Sequence, residues 1–300
     1  MRRTRPLQFV VYFSLILFAP HPIQVYAQDR GAKNYAQALI DQTLARHPEV
    51  ATLAMHVTPP SSGDNLIIAS NFGRIGKRAD EDDLAVIKTG MPNAELNKTG
   101  DRFSVELPLQ DVSEDTIGAL AVAFPYKAGD ERIRFLQQAT QVRNELRRRI
   151  TNAGNLLEPF PYSQIPTNTY AQELVDETMG KHPELQILAL HVTPPNSTDD
   201  VILASSIGRI GKKADEDDLK VIQTGEPILE IHISGKRFEV ELQLHDRTGK
   251  IIGAVSTVFA YKPGNDKMEF QKRAESIRTE IERQIPSVQK LIQPIAPGTD

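Results

Sequence analysis

The 300-residue sequence contains no cysteine and no tryptophan. Neither disulfides nor thiolate metal sites can hold this fold, so a buried apolar core must do it. Long apolar runs are scarce as well. The longest lies near the start, Phe9 to Ala19, and is 11 residues long. A membrane span needs about 20. Arg2, Arg3 and Arg5 precede this run, and Val25-Tyr26-Ala27 follows it with small residues where a signal peptidase cuts. Residues 1–27 therefore read as a cleaved secretory signal, with an uncleaved anchor as the rival reading. The absence of cysteine excludes a lipoprotein anchor. The expected location is exported, periplasmic or secreted, with no membrane span after cleavage.

A basic surplus is lacking too. The formal charge is −4, and removing residues 1–27 takes three arginines and no acid, moving it to −7. Nucleic-acid binding leans on a basic footprint, so no nucleic-acid partner is expected.

What the sequence has is a duplication. "GRIGKRADEDDL" at Gly73 returns as "GRIGKKADEDDL" at Gly208. His47-Pro48-Glu49 returns as His182-Pro183-Glu184, Arg102-Phe103 as Arg237-Phe238, and Tyr126-Lys127 as Tyr261-Lys262. Every pair is offset by 135 residues. That period is far longer than a solenoid repeat, so each repeat should be a whole domain. The expected domains are 34–160 and 169–296, joined by the Pro-rich, polar stretch around Phe160–Asn168.

Within one repeat, Asn34–His47 has helical spacing and stops before Pro48. Ala51–Thr58 and Asn65–Ser70 read as strands, Ala79–Thr89 as a short helix and Asn93–Lys98 as an edge strand. Phe103, Val105, Leu107 and Leu109 alternate with polar residues, the period of a half-buried strand. Ile117–Tyr126 is a nearly continuous apolar strand. The last helix, Glu131 to Ile150, has the apolar stripe Phe135, Ala139, Val142 and Leu146. The order α-β-β-α-β-β-β-α, with hairpin-length links, predicts an α+β fold: in each repeat an antiparallel sheet of about five strands with flanking helices.

This order, together with "NLIIASNFGRIGKRADEDD" and "LHDRTGKIIGAVSTVF", resembles the Cache branch of PAS-like extracytoplasmic sensor domains. The second repeat keeps the family's hairpin as Asp246 to Gly253. The first departs from it, with Glu114 where the turn glycine should be. The resemblance implies two tandem PAS/Cache-like domains and a small-molecule pocket between the sheet and its covering helices and loops. It implies no ligand class, because the family's tryptophan-containing amino-acid motif is absent. Since the sequence shows no output domain, signalling would need a partner, such as a membrane-bound protein, or self-association.

The repeated phrase is not a phosphate loop, because the glycine spacing is wrong and a basic residue follows the lysine in place of Ser or Thr. Nor are its acids spaced as a calcium loop. Asp80 and Asp83, with Asp215 and Asp218, fit a helix-capping box instead. Arg74 and Lys77, with Arg209 and Lys212, stand near that helix start and are candidates for holding an anion. His56 and His191 lie in a strand among small residues and are candidate pocket-lining groups. Arg102 and Glu106, with Arg237 and Glu241, share the polar face of another strand and are candidate ligand contacts. His47 and His182 are expected to cap the last carbonyls of the first helix of each repeat. No metal and no cofactor are expected. There is no G-x-S-x-G elbow and no triad spacing, so catalysis is not expected. Three readings stay open: a non-catalytic ligand-binding sensor, a structural module assembling through its helices, and a hydrolase. A free volume lined by His56, Arg102 or their twins would favour the first. Solid packing and an exposed stripe on the long helix would favour the second. A Ser or Asp beside a His in a cleft would favour the third.

Overall fold

Alternating strand residues leave each sheet with two unlike faces, and helices of different character cover them. A computed structural model describes residues 33–162 and 164–295. The expected signal segment lies outside the described residues. The first repeat comprises β1 (Lys33–Asn34), α1 (Tyr35–Arg46), β2 (Thr52–Val57), β3 (Leu66–Ser70), α2 (Glu81–Thr89), β4 (Asn93–Leu96), β5 (Arg102–Gln110), β6 (Thr116–Pro125), α3 (Arg132–Arg147), α4 (Ala153–Leu156) and β7 (Pro159–Phe160). The second comprises α5 (Tyr170–Lys181), β8 (Leu185–Val192), β9 (Val201–Ser205), α6 (Glu216–Thr224), β10 (Ile228–Ile231), β11 (Arg237–His245), β12 (Ile251–Ala260), α7 (Lys267–Arg283) and α8 (Val288–Leu291).

The strands run antiparallel in the orders β3-β2-β6-β5-β4 and β9-β8-β12-β11-β10. The fold is α+β, with two five-stranded antiparallel sheets and flanking helices, an arrangement consistent with tandem PAS/GAF-like domains. Among the described residues, no helix is long and apolar enough to cross a membrane.

One face of the first sheet is large and apolar. Leu53, Met55, Phe103, Val105, Leu107, Leu120 and Phe124 all point into the core. The stripe Phe135, Ala139, Val142 and Leu146 of α3 buries against it. Phe135 sits 5.5 Å from Phe103 and 5.2 Å from Phe124, ring centre to ring centre. Phe270 repeats this against Phe238 and Phe259, 5.3 Å from each. Aromatic clusters of this kind anchor a core through both area and ring geometry. The opposite face, under α2 or α6, holds Ala54, His56, Glu106 and Ala119, and correspondingly Ala189, His191, Glu241 and Ala254. Small and ionisable side chains there leave room that the apolar face does not have.

Two local features explain sequence oddities. Gly118 and Gly253 pair with Val57 and Val192 of the neighbouring strand, where the two backbones approach closely. A Cβ would stand 2.0 Å from the His56 carbonyl oxygen at Gly118, and 1.9 Å from that of His191 at Gly253. Only glycine permits that approach. Glu114, the departure from the hairpin pattern, takes the left-handed conformation (φ 66°) that Gly249 takes in the second repeat (φ 86°). The turn is therefore kept, and Glu114 contacts Arg147.

Each repeat closes on itself: β1 pairs with β7, and Thr169 bridges Pro294. A joint also links the repeats. Val112 packs with Ile187, Ile207 and Val258. The Tyr35 hydroxyl donates to the Ile207 carbonyl at 2.7 Å. His47 and His182 occupy the C-cap positions of α1 and α5, but their rings do not cap carbonyls as expected. Their Nε2 atoms meet Glu145 at 2.8 Å and Glu280 at 3.0 Å. The backbone before proline turns the ring away from the helix end, towards the long helix beside it.

Candidate functional site

The repeated phrase is built in two parts. After β3 the chain turns back through Gly73 and Arg74, both left-handed (φ 79° and 63°). It then runs antiparallel to β3, with the Ile67 N–H donating to the Lys77 carbonyl at 2.9 Å and the Gly76 N–H to the Ile67 carbonyl at 2.8 Å. The second repeat does the same through Gly208 and Arg209. Asp80 then caps α2. The Asp83 N–H donates to Asp80 Oδ1 at 3.2 Å, and the Asp80 N–H donates to Asp83 Oδ2 at 3.1 Å. Asp215 and Asp218 cap α6 identically. The capping boxes expected from sequence are both present.

Asp83 has a second role that the phrase alone does not reveal. Its Oδ2 lies 3.0 Å from His56 Nδ1, and both side chains are more than nine-tenths buried. His191 and Asp218 stand at the same 3.0 Å. Each pair brings an imidazole nitrogen against a buried carboxylate oxygen. Burial works to raise the Asp218 carboxyl, but the His191 imidazole and the Asp215 N–H outweigh it and hold the group below the usual carboxylate range. The Asp83 carboxyl is lowered for the same reasons by His56 and Asp80.

In the second repeat these groups border a cavity of about 240 Å³ between the sheet and α6. All five residues singled out in that repeat line it: His191, Arg209, Lys212, Arg237 and Glu241. The floor is β11. Glu241 is only 6% exposed; its Oε1 accepts from the Ser256 hydroxyl at 3.1 Å, and its Oε2 has no partner. Burial, then the charges of Asp218 and Glu239, push its carboxyl up to about 9. Glu239, two residues earlier on the same face, is pushed up to about 7 by burial and Asp218. At neutral pH Glu241 is thus a protonated acid and a hydrogen-bond donor. At the other side Arg237, 3% exposed, donates from Nη2 to the Thr151 carbonyl at 3.0 Å and meets His232 Nε2 at 2.8 Å, while its Nε is unpaired. Burial and the Arg237 charge lower the His232 imidazole, which is then neutral.

The two repeats place their other candidates differently. Arg209 and Lys212 already hold an anion, and it is a side chain. Glu158 of the first repeat takes Arg209 Nη2 at 2.6 Å and Lys212 Nζ at 2.8 Å, and its Oε2 also accepts from the Tyr162 hydroxyl at 2.6 Å. Burial opposes ionisation of Glu158, but these three donors prevail and keep its carboxyl below the usual range. Arg74 and Lys77 are exposed, and Arg74 lies over the Phe72 ring at 5.8 Å. Arg102 is exposed at the start of β5, whereas its twin Arg237 is buried beneath the first repeat. Glu106 faces α2, where burial and the charges of Asp83 and Asp80 push it up to about 7.

Sequence reasoning missed Glu239, Ser256, Asp218 as a partner of histidine, and Glu158. Glu239 was within reach, since it alternates with Glu241. The others are brought in by tertiary contact.

No family model matches this chain. No curated protein matches it either. Similar solved structures include the A. aeolicus nlh2 GAF domain in an inactive state, at 13% identity over 40% of this chain and 84% of that one, with TM-score 0.31. Another is the inducer-binding domain of a PobR transcription factor double mutant from Acinetobacter, in complex with 3-hydroxybenzoic acid, at 12% identity over 37% and 95%, TM-score 0.27. The chromophore-binding domain of a Stigmatella aurantiaca bacteriophytochrome spans more of this chain, 80% against 92% of its own, at 11% identity and TM-score 0.26. These likenesses are too distant to bear on ligand or activity.

Proposed function

We propose that this chain is an exported, non-catalytic sensor-like protein of two Cache/PAS-like domains that binds a small carboxylate-bearing molecule in the cavity of its second repeat. One observation carries the reading: a cavity between sheet and helix is walled by deeply buried Arg237 and Glu241, each with an unpaired polar atom. Buried polar atoms without partners are rare, and an occupant that pairs them accounts for both. Arg237 is the cation for a carboxylate, and protonated Glu241 is the donor opposite. The cavity of about 240 Å³ is smaller than the about 300–1,000 Å³ of drug-sized pockets, so the ligand is small. The buried stripe of α3 favours this reading over assembly through that helix. The Ser256 hydroxyl donates to Glu241, which favours binding over hydrolysis by a serine–histidine pair. Signalling would pass through a partner protein.

A thermal-shift screen of small carboxylates and amines tests the proposal. A ligand at 100 times its Kd stabilises the native state by about 2.7 kcal/mol. Carboxylates should raise Tm at pH 7 and less at pH 9.5, where Glu241 ionises and repels them. Arg237→Gln should abolish the shift. A panel without effect, or a shift untouched by Arg237→Gln, refutes the site. Amines that stabilise better at pH 9.5 refute the ligand class.

A further inference from the structure

We infer that the first repeat contains a divalent-cation site formed by Asp80, Asp83 and Glu106. The inference is independent of the ligand cavity, which lies in the other repeat. Each of the three residues offers one carboxylate oxygen, and these oxygens all lie within 4.8 Å of one another. Among the described residues, it is the one group of three or more metal-ligating side chains that converges so closely. Two oxygens bound across a cation at 2.3–2.6 Å stand about 4.6–5.2 Å apart, so the three fit around a single ion.

Capping explains only half of these groups. Asp80 Oδ1 and Asp83 Oδ2 accept the backbone N–H groups at the start of α2. Asp83 Oδ1 is shielded from water and accepts nothing, although the Asp83 side chain is only 4% exposed. Glu106 Oε2 is shielded and unpaired as well. A buried carboxylate oxygen without a donor is destabilising, more so when the group is charged. A cation held by Asp83 and Glu106 would give both under-partnered carboxylates a counter-charge. His56 Nδ1 lies 3.0 Å from the other oxygen of the Asp83 carboxylate, Oδ2. Asp80 is exposed, which gives an ion a way in and gives water the remaining coordination positions.

The donor set selects the ion. Three carboxylates and water are hard oxygen ligands, and no thiolate exists in the chain. Calcium accepts irregular oxygen cages, whereas magnesium demands a near-ideal octahedron, so calcium is the best fit. With only three protein carboxylates, affinity at the weak end of calcium sites, about 10⁻⁴–10⁻³ M, is expected. The sequence expectation of no metal rested on the acidic run 80–83 alone. Glu106 comes from β5, and only the fold brings it to Asp80 and Asp83. In the second repeat the matching Glu241 accepts from Ser256, where the first repeat has Ala121.

The test uses the full chain, stripped with a chelator and titrated with calcium, magnesium or manganese chloride. Calorimetry should show one calcium site per chain, and Tm should rise saturably with calcium. Glu106→Gln keeps the side-chain shape and removes one charge; it should weaken calcium at least tenfold while leaving the calcium-free Tm equal to or above that of the parent. Glu95→Gln, an exposed carboxylate on β4, should respond as the parent does. The inference falls if none of the three ions gives saturable heat or a Tm shift up to about 10 mM, ten times the weakest expected Kd. It falls equally if Glu106→Gln binds calcium as well as the parent, or if magnesium binds more tightly than calcium.

Discussion

Replacing Glu158 by glutamine should loosen the joint between the repeats. The glutamate is 24% exposed, Arg209 is 13% exposed and Lys212 is 36% exposed, counted over their side chains. Removing the carboxylate charge leaves the Arg209 guanidinium desolvated and without its counter-ion. A fully buried pair broken in this way loses about 3–5 kcal/mol, and an exposed pair about 0–1. This network lies between those limits and nearer the first, so the expected loss is about 2–3 kcal/mol. Urea denaturation at pH 7 measures it. A cycle with Arg209→Met isolates the pair, since the double variant no longer strands the guanidinium, leaving only the more exposed Lys212 ammonium unpaired, and should be less destabilised than the sum of the singles. The sign with pH also follows. The folded-state carboxyl of Glu158 is held below its unfolded value of about 4.3. The network's contribution is therefore complete above about pH 4.3 and is lost as pH falls through the lower folded value. In Glu158→Gln this acid-dependent component should vanish. A change below about 0.5 kcal/mol at pH 7, or additive single variants, refutes the argument.

Glu241 gives the opposite pH behaviour. Its folded-state carboxyl is raised to about 9, so between about pH 4.3 and 9 the folded chain binds a proton that the unfolded chain has released. Stability should fall by up to about 1.4 kcal/mol per pH unit across that window. Glu241→Gln should flatten the fall and exceed the parent at pH 8, as read from urea midpoints at pH 5, 6.5 and 8. Gly118→Ala would force its new Cβ to 2.0 Å from the His56 carbonyl oxygen. A loss of about 3 kcal/mol or more is expected in denaturant unfolding, and a loss under about 1 would mean that β2 and β6 can separate without cost.

Most of the fold was legible because each element has its own period. The alternation of Phe103 to Leu109 and the stripe of α3 are local patterns, and they meet as their periods require. The capping boxes were legible for the same reason: Asp80 and Asp83 are three residues apart and need nothing else. The candidate site was legible in its types and only partly in its geometry. His191, Arg237 and Glu241 come from three separate positions in the sheet, and the face they share follows from strand alternation. That Arg237 is buried and Arg102 exposed does not follow, because the difference is made by Thr151 of the other repeat. Likewise nothing near Gly208 states that Glu158 will occupy Arg209 and Lys212. The equivalent of Glu158 is Gln293, a difference visible in the sequence whose meaning needs the joint.

That joint unites unlike surfaces, the tail side of one repeat and the loop side of the next. Contacts of this heterologous kind, repeated between molecules, build rings where the rotation closes and open filaments where it does not. The second repeat's own tail side differs at both contacts. Gln293 stands in place of the Glu158 carboxylate, and Arg247 stands in place of the Val112 methyl groups that cover Ile207. The surface that fastens the two repeats is thus present once among the described residues, on the first repeat and not on the second.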